Sequence, residues 1–148
     1  MLQFEGTRDF AKPVEEVCSR LGDATFLARC IPGIESVAQS DADKVICTLR
    51  PGFAFVRGTL ELTVQVLQRV ESSTVRLSLF SKGIGSTSEV EAALDTAPND
   101  TGTRLQWKAE IKNLGGLLKA VPQGLIKASA QKVIADALTA VEKQMEAS

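Results

Sequence analysis

Between Val45 and Ile111 apolar residues return at every second position, and beyond Gly116 they return at helical spacing. A chain patterned this way builds an antiparallel sheet and then one long helix to cover its apolar face. The alternating stretches run through Val45, Cys47 and Leu49, then Leu60 to Val66, Val75 to Leu79, Val90 to Leu94 and Leu105 to Ile111. Short turn clusters separate them, which predicts a meander. Leu2, Phe4 and Phe10 mark a half-buried strand at the start, and Ile34–Gln39 predicts another. Two short helices fit between those two strands. Pro13 opens the first, which runs through Val14, Val17 and Cys18 to Leu21; Asp23 caps the second, which ends at Cys30 before Pro32 and Gly33. The helical stretch extends from about Gly116 to Ala147 through Leu118, Val121, Leu125, Ala130, Val133, Ala137, Leu138, Val141 and Met145. Pro122 and Gly124 delay its start or kink it. The expectation is an α+β fold: about seven antiparallel strands curved around a long C-terminal helix, in one domain over residues 1–148.

Composition narrows the chemistry. The 148 residues include no histidine and no tyrosine, which removes histidine triads, histidine-ligated zinc and tyrosine acids. Cys18, Cys30 and Cys47 are odd in number and form no CxxC pair, so neither a disulfide framework nor a structural zinc site is expected. Cys30 is read as a buried structural thiol, since no histidine is present to activate it. Glu15 and Glu16 suit a first helical turn, and Glu89 and Glu91 alternate with Val90 and Ala92 toward solvent, so neither pair reads as an acid/base couple. Gly83, Ile84 and Gly85 read as a turn between strands, not a phosphate loop. A net charge of −1 and 5% aromatic residues give no support to nucleic-acid binding. No enzyme, metal or cofactor is predicted. The N-terminal residues lack the pattern of a secretory signal, and no apolar run reaches the ~20 residues of a membrane span, so a cytoplasmic protein is expected.

The stretch Asp23-Ala24-Thr25-Phe26-Leu27-Ala28-Arg29-Cys30-Ile31-Pro32-Gly33-Ile34-Glu35 resembles the signature of the carbon monoxide dehydrogenase G-subunit family, within the START-like (helix-grip) superfamily. Phe4, Glu5 and Gly6, Arg57 and Gly58, Gly102 and Thr103, Gly115 and Gly116, and Gln123 through Ile126 match in order over nearly the whole chain. Pro122 and Gly124 depart from the family pattern, and the chain stops soon after the helix without a hydrophobic tail, so permanent anchoring is not expected. The resemblance implies a sheet gripping a helix around an apolar cavity for quinones, lipids or similar molecules. It also implies an association with molybdenum-containing dehydrogenases in maturation, membrane recruitment or quinone handling. On that reading the cavity is lined from the strands by Leu49, Leu60, Leu62, Leu77, Leu79, Val90, Leu94 and Trp107, with Phe80 also a candidate. Phe53 and Phe55 join from a loop, and Leu118, Val121 and Leu125 from the helix.

Meander parity, independent of the family, sorts the loops onto two ends. Loops near 40–44, 71–74 and 96–102 carry Asp41, Asp43, Glu71 and Asp100 against Lys44. Loops near 50–57, 82–86 and 112–119 carry Arg50, Arg57, Lys82, Lys112 and Lys119 with no acid, beside Phe53, Phe55, Ile84, Leu114, Leu117 and Leu118. Residues 111–135 hold four lysines and no acid. Two readings of the basic end follow. Either Phe53 and Phe55 plug the sheet beneath solvated lysines, or the end is a portal that touches an anionic membrane or an acidic partner.

The leading expectation is a non-enzymatic protein that binds a hydrophobic small molecule. It would serve as an accessory, recruiting or carrier factor for a molybdenum dehydrogenase, peripheral at the inner face of the membrane. A docking or maturation factor without ligand, and a cyclase-like enzyme, are the alternatives.

Overall fold

A computed structural model describes residues 3–31, 33–50, 58–70, 73–83 and 85–147. Seven strands form one antiparallel sheet in the order β1-β7-β6-β5-β4-β3-β2. They are β1 (Gln3–Phe10), β2 (Ile34–Ser40), β3 (Lys44–Leu49), β4 (Leu60–Val70), β5 (Thr74–Gly83), β6 (Ser86–Asn99) and β7 (Gly102–Gly116). The short helices α1 (Val14–Leu21) and α2 (Ala24–Cys30) lie between β1 and β2, and the long α3 (Gln123–Ala147) follows a 3₁₀ turn at Leu117–Ala120. Leu2, Pro32, Phe53, Phe55, Arg57, Glu71 and Ile84 lie outside the described residues.

Local chemistry accounts for most boundaries. Asp23 caps α2 by accepting hydrogen bonds from the Thr25 and Phe26 N–H groups at 3.0 and 3.5 Å. Pro13 stands one position earlier than expected: it is the extended N-cap of α1 (φ −60°, ψ 150°), not its first helical residue. Pro122 does delay the last helix. Helical residues therefore begin at Gln123, and Leu118 falls in the 3₁₀ turn. Between them β6 and β7 run far past their alternating cores, because two residues (Asp100 and Thr101) close their hairpin and pair Asn99 with Gly102. The Asn99 side-chain oxygen accepts from the N–H groups of Thr101 and Gly102 and holds that turn.

Cross-strand rows set what faces the helix. One row reads Phe4, Ala109, Ala92, Leu77 and Val66; the row beside it reads Gly6, Trp107, Leu94 and Val75. A register shift between Glu89 and Val90 inserts an extra β7 residue and re-aims the strand end. Three apolar clusters result. Phe10, Val17, Leu21, Leu105, Val141 and Met145 fill the junction of α1, β7 and the C-terminal half of α3. Ala24 and Ala28 let α2 sit close on Val45, Cys47, Leu49, Leu62 and Val64. Phe4, Ala109, Ile111 and Ile126 pack under the N-terminal half of α3. Arg8 ties β1 to α3 through Glu142 at 2.9 Å and the Thr139 hydroxyl at 3.1 Å.

Candidate ligand-binding cavity

The sheet and α3 do not close on each other. The helix presents Ile126, Ser129, Ala130, Val133, Ile134, Ala137, Leu138 and Val141, one continuous face at helical spacing. Small side chains recur along that face, and the facing sheet row places Ala92 directly beside Ala109. Close-packed interiors leave few voids, so two facing surfaces with this many small residues leave unfilled space. That space is a cavity of about 320 Å³, within the usual size of small-molecule sites.

The walls are almost wholly apolar. Ser88 and Ser129 are the small polar exceptions among the lining residues, and Ser88 already shares a hydrogen bond with Ser81. Lys108 also borders the cavity. Strand alternation turns its side chain to the convex face, where it edges a charged groove with Arg76, Glu91, Glu110 and Lys112. Cys30 lines the cavity at the α2 end and is 2% exposed. Burial pushes its thiol up to about 11, against a smaller opposing pull from Arg29. At neutral pH it is a protonated, weakly polar wall rather than a nucleophile.

Of the residues expected to line the cavity, Leu77, Leu79, Val90, Leu94, Trp107 and Leu118 do so. Leu49 and Leu62 do not; α2 covers them and they belong to the filled core of β3 and β4. Leu60, just beyond them on β4, is half-buried and also outside the lining. Leu125 is 44% exposed, because starting α3 at Gln123 turns its neighbour Ile126 inward instead. Val121 packs beneath the helix start without reaching the cavity. Phe80 is on the convex face opposite Thr63 and Glu89, 38% exposed. Phe53 and Phe55 lie outside the described residues. The expectation overlooked the α1–α2 floor (Leu21, Leu27, Cys30 and Ile31) and the alanines. Ala92 and Ala109 alternate in phase with the leucines, which is the signal that could have found them.

The charge asymmetry is weaker than loop sequences imply. Glutamates on the strands reach the basic end and pair there: Arg50 with Glu35 at 3.2 Å, Lys82 with Glu61 at 3.7 Å, and Lys112 with Glu110 at 3.0 Å and Glu91 at 3.4 Å. The hydrogen bond from Lys112 holds the Glu110 carboxyl below its ordinary value, and the same bond raises Lys112. At the opposite end Arg69 pairs with Asp43 at 2.6 Å and donates to the Gly22 and Ala42 carbonyls. Lys119 keeps its place and is exposed. It and Lys127 have no carboxylate partner among the described residues, and Leu117 (66% exposed) and Leu125 lie beside them in the chain. Arg57 lies outside the described residues. Among the described residues no helix is long and apolar enough to cross a membrane, and no group of acidic, cysteine or histidine side chains is arranged to hold a metal ion.

Comparison with known proteins agrees with this architecture. A conserved protein of Geobacillus kaustophilus matches at a TM-score of 0.86 and 27% identity, over 98% of this chain and 95% of that one. A START superfamily protein of Mycobacterium smegmatis matches at a TM-score of 0.69 and 14% identity, over 97% of each chain. The AHSA1 protein of Silicibacter pomeroyi matches at 0.68 and 14% identity, over 98% of each. The last two likenesses establish the fold, a START-like sheet wrapped on a helix. No curated protein matches the chain. The family of the carbon monoxide dehydrogenase G-subunit, CoxG, matches residues 6–146, nearly the whole length. The chain therefore belongs to the carbon monoxide dehydrogenase CoxG family.

Proposed function

We propose that this protein is a non-enzymatic carrier for a neutral hydrophobic small molecule, quinone-like or lipid-like. It would act as an accessory or recruiting factor beside a molybdenum-containing dehydrogenase of the carbon monoxide dehydrogenase type. The observation that carries this reading is the apolar cavity under α3. Apolar burial alone is strong enough to hold such a ligand. Covering roughly 300 Å² of its surface supplies about 7.5 kcal/mol at 25 cal/mol per Å², before the costs of association. A free carboxylate or phosphate inside would find no cation to offset its desolvation, so the ligand buries an uncharged part there. A thiol held protonated at Cys30 also suits a site that keeps an electrophilic ring unreacted. Family membership favours the dehydrogenase partner. Native mass spectrometry of protein purified without delipidation tests carriage directly.

Delivery would occur at the cytoplasmic face of the membrane. Lys119 and Lys127, with exposed Leu117 and Leu125 close to them in the chain, would make a small cationic and apolar tip where β7 hands over to α3. Each lysine near an anionic surface contributes about 1 kcal/mol, enough for transient contact. Lys119→Glu with Lys127→Glu is expected to abolish cosedimentation with anionic vesicles. Lys82→Glu, which alters an already paired lysine, is expected to weaken it far less. Equal effects of the two changes would remove this tip from the account.

A further inference from the structure

Gly6 of β1 stands directly opposite Trp107 of β7. A Cβ placed on Gly6 would lie 2.7 Å from Cζ2 of the indole, 2.9 Å from Cε2 and 3.1 Å from Nε1. Carbon atoms pack best at about 3.5–4.0 Å, so no side chain fits there without moving the ring. Backbone conformation is not the reason for the glycine: Gly6 is not among the positive-φ glycines and sits in regular strand pairing. The missing side chain is room for the indole.

That room decides where the cavity wall stands. Trp107 has Gly6 on one flank and Leu94 on the other, and it lines the cavity. With its Nε1–Cζ2 side over Gly6, the ring leans toward β1. The next row holds Ala109 and Ala92, so the recess continues across two strands. A side chain at position 6 would take the place of the indole and turn it toward that recess.

Resting on the carrier reading above, we infer that Gly6 is a specificity-determining residue. By letting Trp107 lie back on β1, it widens the cavity enough for a ligand broader than a single alkyl chain. Gly6→Ala narrows it and shifts preference toward slim molecules.

The test compares two neutral probes, broad N-phenyl-1-naphthylamine and slim 1-dodecanol, by isothermal titration. Gly6→Ala is expected to weaken the broad probe about tenfold or more, the penalty of one misfitting methylene in an apolar pocket. Dodecanol should bind Gly6→Ala close to as well as it binds the wild type. Gly6→Ala with Trp107→Leu, where the clash is absent, should regain the broad probe; this variant also serves if Gly6→Ala alone does not fold. Unchanged binding of the broad probe to Gly6→Ala, equal loss of both probes, or failure of the double variant to regain it would each overturn the inference. A wild-type protein that binds neither probe would instead overturn the carrier reading, and this inference with it.

Discussion

Ala92→Phe is expected to abolish uptake of apolar molecules while the protein stays folded. Ala92 pairs with Ala109 on one side and Leu77 on the other, and all three side chains face α3. In a filled core such an enlargement costs about 1–3 kcal/mol through strain. Here the new phenyl ring enters open space and gains contacts with Trp107, Val133 and Ile134, which line the same cavity. Affinity for N-phenyl-1-naphthylamine should fall ~100-fold or more, since a single misplaced methylene already costs about tenfold. The midpoint of thermal unfolding should hold or rise. A folded Ala92→Phe protein that binds the probe like the wild type would mean that ligands sit elsewhere.

Phe10→Ala is expected to have the largest effect on stability. Phe10 is 2% exposed and packs in the cluster that joins α1, β7 and the end of α3, with Val17, Leu21, Val141 and Met145. Truncating a buried phenylalanine costs about 3–5 kcal/mol, a large share of the ~5–15 kcal/mol that holds a domain together. A chain of this size should then melt roughly 10 °C lower. Leu125→Ala, at a surface position, should fall within about 0.5 kcal/mol of wild type. Similar melting of the two variants would show that the C-terminal half of α3 is not anchored at this junction.

The contrast explains the division of labour along α3. Its C-terminal half is fixed by Val141, Met145 and the Arg8–Glu142 pair. Its N-terminal half meets the sheet through Ile126 and borders the cavity with Ser129, Ala130, Val133 and Ile134, and the lining continues through Ala137, Leu138 and Val141. Between β7 and that helix, Gly116, with a φ of 63°, lets the strand break into the 3₁₀ turn.

How much of this is legible in the sequence depends on the element. Alternation of apolar residues marks the strands from β3 to β7, since a period of two needs no knowledge of partners, whereas β2, with Ile34 and Val37 out of phase, carries a weaker signal. The Asp23 cap and the delay at Pro122 are equally local. Strand ends are not, because residues such as Thr87 and Pro98 extend β6 through pairing alone. The cavity is half legible. Leu77, Leu79, Val90, Leu94 and Trp107 follow from strand phase, but Leu49 and Leu62 share that phase and are covered by α2. Which leucines face a void and which a helix depends on where the short helices land. Leu125 is misplaced when a continuous helical phase is carried across Pro122. Loop charges counted alone omit the glutamates on neighbouring strands, although Glu61 is paired with Lys82 by register alone.

Native mass spectrometry of the intact chain, purified without delipidation and then incubated with N-phenyl-1-naphthylamine, tests the carrier account most directly. The account predicts a one-to-one adduct on the purified protein, released by organic solvent and replaced by the probe, with Ala92→Phe showing neither species. A bare chain both before and after incubation would contradict it.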